Sequence, residues 1–154
     1  MSKPAAVITT LEDSASRLDQ HWVSAYLRTT YRVLTPPFDR RIGETNKAFD
    51  HWLENQGADQ FTFLTAWNPF SAALTPAENE CRNRELESEL LELGVAVYPG
   101  LGIGDDPTWS PEASFCALDL PPEEAVRLGQ KFAQNALVYG RKGSVPELWW
   151  LVGK

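Results

Sequence analysis

Residues 65–83 read T-A-W-N-P-F-S-A-A-L-T-P-A-E-N-E-C-R-N. The segment that leads into them, Phe61 to Trp67, is apolar on both faces, the pattern of a central strand covered on both sides. Asn68-Pro69 stops it, because proline brings no N–H to a ladder. Thr75-Pro76-Ala77-Glu78 is a capping box with proline at the first helical position, so a helix is predicted from there to Leu93, ending at Gly94. On that helix Asn79, Arg82, Asn83, Leu86, Leu90 and Leu93 fall on one stripe. The leucines define the side facing the sheet, so the three polar residues point toward the end of the Phe61–Trp67 strand, where Asn68 and Ser71 also lie. Buried unpaired, each would cost about 1–3 kcal/mol. They therefore tie down a neighbouring loop, segment 99–112 above all, or they contact a ligand, or they lie exposed to solvent. In the second reading Arg82 binds a carboxylate or phosphate, the asparagines add directional hydrogen bonds, and Arg82→Ala abolishes the response to ligand without unfolding the chain.

Working outward, Thr10 caps a first helix with Asp13 completing an acidic capping box, and Leu11, Ala15, Leu18 and Trp22 form its buried stripe. From Tyr26 the period becomes two. Leu27, Thr29, Tyr31 and Val33 face one way and Arg28, Thr30 and Arg32 the other, until Pro36-Pro37. Residues 38–43 read as a connector. Thr45 to Gln56 is a second helix closed by Gly57, with Ala48, Phe49, Trp52 and Leu53 buried. After the third helix come a strand from Val95 to Pro99, a glycine loop from Pro99 to Pro107, and a strand from Ala113 to Leu118. Pro121-Pro122-Glu123-Glu124 opens a fourth helix running to about Ala133. Asn135–Tyr139 and Glu147–Val152 close the chain as a hairpin. The order α-β-α-β-α-β-β-α-β-β predicts one α+β domain over residues 1–154, with a mixed sheet of about six strands, four helices and a loose N-terminus at 1–9.

The chain of 154 residues carries 21 acidic and 14 basic residues, a net charge of −7. That balance disfavours nucleic acid, whose phosphates need Lys and Arg. Arg28, Arg32, Arg40 and Arg41 cluster in sequence, but charges guarding a sheet edge explain them. The two cysteines, Cys81 and Cys116, form no C-x-x-C pair, and His21 and His51 lie on separate helices, so no metal or cofactor is expected. Nothing approaches the roughly 18 apolar residues of a membrane span, and the N-terminus has no signal pattern, so a reducing, cytoplasmic setting is expected. Six Trp, seven Phe and four Tyr exceed what a minimal core requires; they fill the core of a small domain, or some of them line a pocket or interface. The run G-L-G-I-G lacks both the P-loop lysine and the dinucleotide spacing. Trp109, Glu112 and Ser114 follow it, with Glu112 and Ser114 on the strand face of Cys116. A Glu112–Arg82 pair there is either a structural salt bridge or a binding pair.

T-A-W-N-P-F-S (65–71), E-N-x-x-R-N-x-x-L (78–86), the glycine loop with Trp109, E-A-S-F (112–115) and F-A-Q-N-A-L-V-Y (132–139) together resemble the domain of unknown function 3293 family, a group of small bacterial proteins. The resemblance runs from about Tyr26 to the C-terminal end. It implies no activity, but it implies that these polar motifs belong together. Ala133 departs from the glycine of the family's F-G-Q-N run, which bears on the geometry of the helix end.

The resulting expectation is a small-molecule or anion-binding domain, its site built from Trp67, Asn68, Ser71, Asn79, Arg82, Asn83, Trp109, Glu112 and Ser114. The alternative is a protein-interaction or accessory module that uses the aromatic Trp149-Trp150 strand as an exposed edge. A third reading is a hydrolase or transferase with Glu112 as base.

Overall fold

A computed structural model describes residues 8–10 and 20–151, with 8–10 and 20 described by backbone alone. The elements are β1 (Ile8–Thr10), α1 (Gln20–Leu27), β2 (Thr30–Val33), β3 (Phe38–Arg40), α2 (Lys47–Asn55), β4 (Gln60–Leu64), α3 (Pro76–Glu92), β5 (Ala96–Ile103), β6 (Glu112–Leu118), α4 (Pro122–Lys131), β7 (Ala136–Arg141) and β8 (Glu147–Trp150). The strands form one sheet in the order β1-β8-β7-β4-β6-β5-β2-β3. Among the described strands only the β1–β8 pair is parallel. The α+β class and the mixed sheet stand as expected. The sheet has eight strands rather than about six, through the short additions β1 and β3.

Alternation along β6 shows why the sheet is covered twice. Cys116 and Leu118 pack with Val23, Phe49, Leu53 and Phe61 under α1 and α2, whereas Phe115 and Ala117 pack with Leu86, Leu90, Ala125 and Leu128 under α3 and α4. Each strand residue thus serves one of two apolar clusters.

Local signals account for the helices. Asn46 caps α2 by accepting from the Phe49 N–H at 2.9 Å, and Thr75 and Glu78 form both halves of the capping box of α3. Leu86 and Leu90 are fully buried, but Leu93, expected on the same stripe, is 38% exposed just beyond the helix. Ala48, expected to be buried on α2, is exposed.

Several further features differ from expectation, and β4 itself ends at Leu64 rather than Trp67. The first helix ends at Leu27, so Leu27 is helical and β2 begins at Thr30; the part of that helix expected over residues 11–19 lies outside the described residues, as do 1–7 of the expected loose terminus. The expected connector holds β3, because the Arg40 guanidinium stacks over the Phe49 and Phe61 rings at 4.6 and 5.1 Å and is buried. Strand β5 continues through the glycine run to Ile103. Gly100 is needed there for close approach, since a Cβ at that position would sit 2.6 Å from the Arg32 carbonyl oxygen. Finally, β8 lies between β1 and β7 with Trp150 only 2% exposed. The Trp149-Trp150 strand is therefore an inner strand and offers no aromatic edge.

Arg28, Arg32, Arg40 and Arg41 make no common basic face. Arg28 pairs with Asp105, Arg32 with Asp39, Arg41 with Glu44, and Arg40 is in the core. Among the described residues no helix is long and apolar enough to cross a membrane.

At the end of α4, Ala133 takes φ +59°, the left-handed region that a glycine tolerates. Ala133→Gly should raise stability by about 1 kcal/mol, read as a higher urea midpoint at unchanged slope. A lowered midpoint would show that the methyl group makes contacts outweighing its backbone cost.

Candidate functional site

The three polar residues of α3 face the chain that leaves β4. Asn83 accepts from the Ala66 N–H at 2.8 Å and donates from Nδ2 to the Ala113 carbonyl at 2.9 Å. Asn79 accepts from the Asn68 N–H and donates to Asn68 Oδ1, both at 2.8 Å. Arg82 donates from Nε to the Ala66 carbonyl at 2.7 Å and from Nη2 to the Phe132 carbonyl. Gln134 reaches the Trp67 carbonyl at 3.2 Å. These side chains supply hydrogen bonds that an irregular backbone cannot make for itself. The loop they hold is tightly bent: Asn68, Phe70 and Ser71 all have positive φ, at 47°, 51° and 62°.

Asn79, Arg82 and Asn83 are therefore the scaffold of the loop. What the scaffold presents is Asn68. Its Oδ1 accepts from the Leu74 N–H at 3.0 Å, and its Nδ2 donates to Glu112 Oε2 at 3.1 Å. Trp109 Nε1 donates to the same oxygen at 3.0 Å. Glu112 and Arg82 form no ion pair, because the guanidinium is taken up by the two carbonyls.

Above Glu112 lies a cavity of about 320 Å³ on the α1 face of the sheet. Trp67, Asn68, Ser71, Trp109, Glu112 and Ser114 line it, bringing together six of the nine residues singled out in the sequence; Asn79, Arg82 and Asn83 stand behind its wall. The opposite wall is α1, through His21, Trp22, Ala25 and Tyr26, and Tyr31 and Phe63 belong to the floor. Sequence reading missed this wall. The aromatic surplus was its one signal, and that signal carries no position.

Two polar groups in the cavity are poorly served. Among the described residues Ser114 Oγ is buried without a hydrogen-bond partner. Glu112 Oε1 receives no hydrogen bond from the described residues, both donors going to Oε2. Burial holds the Glu112 carboxyl above its ordinary range, with the Trp109 and Asn68 donors pulling the other way. Burial likewise raises the Tyr26 phenol, partly offset by Ser71 beside it.

The Glu112 shift has a definite sign. A carboxyl whose folded pKa is raised is protonated more readily in the native state, so its ionisation costs stability as pH rises through the folded value. Below its ordinary pKa of 4.5 there is no such cost. Gln keeps an oxygen for both donors and cannot ionise. Glu112→Gln should therefore melt above the wild type at pH 7 and level with it near pH 4, a difference that a pH series of melting curves reads directly.

The fold and the cavity define an α+β domain with an aromatic pocket floored by one carboxylate. Residues 64–137 match the family described as "Protein of unknown function (DUF3293)". The match opens at the end of β4 and closes inside β7, a narrower span than the resemblance read from the sequence. Comparison with the curated proteins and with the solved structures gives no match.

Proposed function

We propose that this chain binds a small molecule in the cavity between α1 and the sheet. The observation that carries the reading is an aromatic hollow of about 320 Å³ holding a half-buried carboxylate and a buried hydroxyl that no described residue satisfies. Ligand sites are concave and largely apolar with a few convergent polar groups, and span about 300–1,000 Å³, so the occupant is of metabolite size. The three helical residues behind the wall support the reading by fixing the loop that holds Asn68 against Glu112.

A second reading is hydrolysis or group transfer with Glu112 as general base. The raised carboxyl in a cavity favours it. It predicts turnover of a bound compound that Glu112→Gln abolishes while binding persists.

The test is a melting-temperature screen of metabolites against the wild type and against Ala25→Phe, which fills the cavity from α1. A ligand at 100 times its Kd adds about 2.7 kcal/mol. A shift present in the wild type and lost in the filled protein supports the site. Shifts equal in both proteins place binding elsewhere and overturn it.

A further inference from the structure

We propose that the cavity selects a small organic cation with at least two N–H donors on a flat apolar body, its nitrogen-bearing end seated on Glu112 Oε1 and Ser114 Oγ. This rests on the reading of the cavity as a binding site and names the class of its occupant.

The donor requirement follows from the acceptors. An ionised carboxylate only accepts, and Oε2 is already taken by Asn68 and Trp109, which leaves Oε1 for a donor from the ligand. Ser114 lies two residues along the same strand face, and its buried hydroxyl oxygen has no partner among the described residues. Two acceptors on one face suit a group with two N–H bonds, such as an amidinium, a guanidinium or a primary ammonium.

The charge follows from the surroundings. Among the described residues the formally charged side chains lining the cavity are Glu112, Asp105, Asp106 and Arg28, with His21 on the α1 wall, and Arg28 is already paired with Asp105 at 3.0 Å. An anion would meet an excess of carboxylate, and the arginine among these lining groups is already committed. Arg82, the residue the sequence offers for that task, is held on the Ala66 and Phe132 carbonyls. Trp22, Trp67 and Trp109 also line the cavity, and indole rings attract cations and pack against a flat body.

Three probes of one shape separate the classes: benzamidine (cation with N–H donors), benzamide (neutral) and benzoate (anion). Titration into the full chain, followed by tryptophan emission and calorimetry, should show benzamidine binding at least tenfold more tightly than benzamide, with benzoate weakest. Glu112→Gln should remove that preference. Tetramethylammonium, a cation without N–H donors, should bind more weakly than benzamidine. Benzoate binding as well as benzamidine overturns the inference, and so does a cation preference that survives Glu112→Gln. If the metabolite screen finds a neutral or anionic ligand that Ala25→Phe excludes while benzamidine fails, the cation class falls and the binding site stands. If neither the screen nor the probes bind in the cavity, both fall.

Discussion

Asn83→Ala should cost about 3 kcal/mol of folding stability although it removes no apolar contact of consequence. The side chain accepts from the buried Ala66 N–H and donates to the Ala113 carbonyl. Ala113 keeps the Thr65 hydroxyl at 2.7 Å, but nothing replaces the acceptor for Ala66. A buried group left without its partner costs about 1–3 kcal/mol, and the emptied volume adds to it. The loop would also lose one of its fastenings to α3, so the Asn68–Glu112 contact should loosen, and Trp109 emission should shift before global unfolding in urea. Arg82→Ala follows the same logic, as the Ala66 and Phe132 carbonyls share its guanidinium. It should destabilise the chain rather than silence a ligand response in an intact one. A cost below 1 kcal/mol for Asn83→Ala would mean that water replaces the side chain, and the buried scaffold described above would be wrong.

Gly140→Ala should be as costly for the opposite reason. Gly140 lies opposite Phe61 across the β4–β7 ladder, and a Cβ there would stand 2.4 Å from Phe61 Cζ and 2.7 Å from Cε1. The ring cannot give way. It is fully buried, 4.8 Å from the Phe49 ring and 5.9 Å from that of Phe63, with the Arg40 guanidinium at 5.1 Å. Overpacking of this kind costs about 3 kcal/mol. Gly57→Ala is the control: nothing lies within 4 Å of the added methyl, so only the backbone at φ +71° is penalised, by about 1 kcal/mol. Combining Gly140→Ala with Phe61→Leu should recover part of the loss, because the two sites share one volume. Additive losses would refute the collision.

The elements that the sequence revealed are those whose instructions are local. Thr75 and Glu78 cap α3 within a single turn, and Gly57 and Gly94 end helices by adopting positive φ. Strand β3 was hidden because Asp39-Arg40-Arg41 reads as solvated chain. What buries Arg40 is the pair of rings brought from α2 and β4, which no window around residue 40 contains. Strand β5 was cut short because glycine weakens a strand by itself, and its reason here, the closeness of the Arg32 carbonyl, belongs to another strand. The site divides in the same way. Trp67, Asn68, Ser71, Trp109, Glu112 and Ser114 lie in motifs that stand out in order along the chain. Arg82 shares their motif and looks like an anion clamp, because a guanidinium serves a carbonyl as readily as a phosphate and the choice depends on which bare carbonyls the fold leaves beside it. The α1 wall is distant in sequence from the floor it covers, so only the closed structure joins them.

That division has an evolutionary consequence. The family-matched segment, residues 64–137, supplies the carboxylate, the hydroxyl and the loop scaffold, whereas His21, Trp22, Ala25 and Tyr26 come from a helix outside it. If the cavity binds as proposed, recognition chemistry and pocket shape are encoded in separate stretches of chain. Exchanging α1 alone would then redraw what fits while sparing the proposed recognition groups, so a graft of this one helix would be a compact route to altered selectivity on an unchanged sheet.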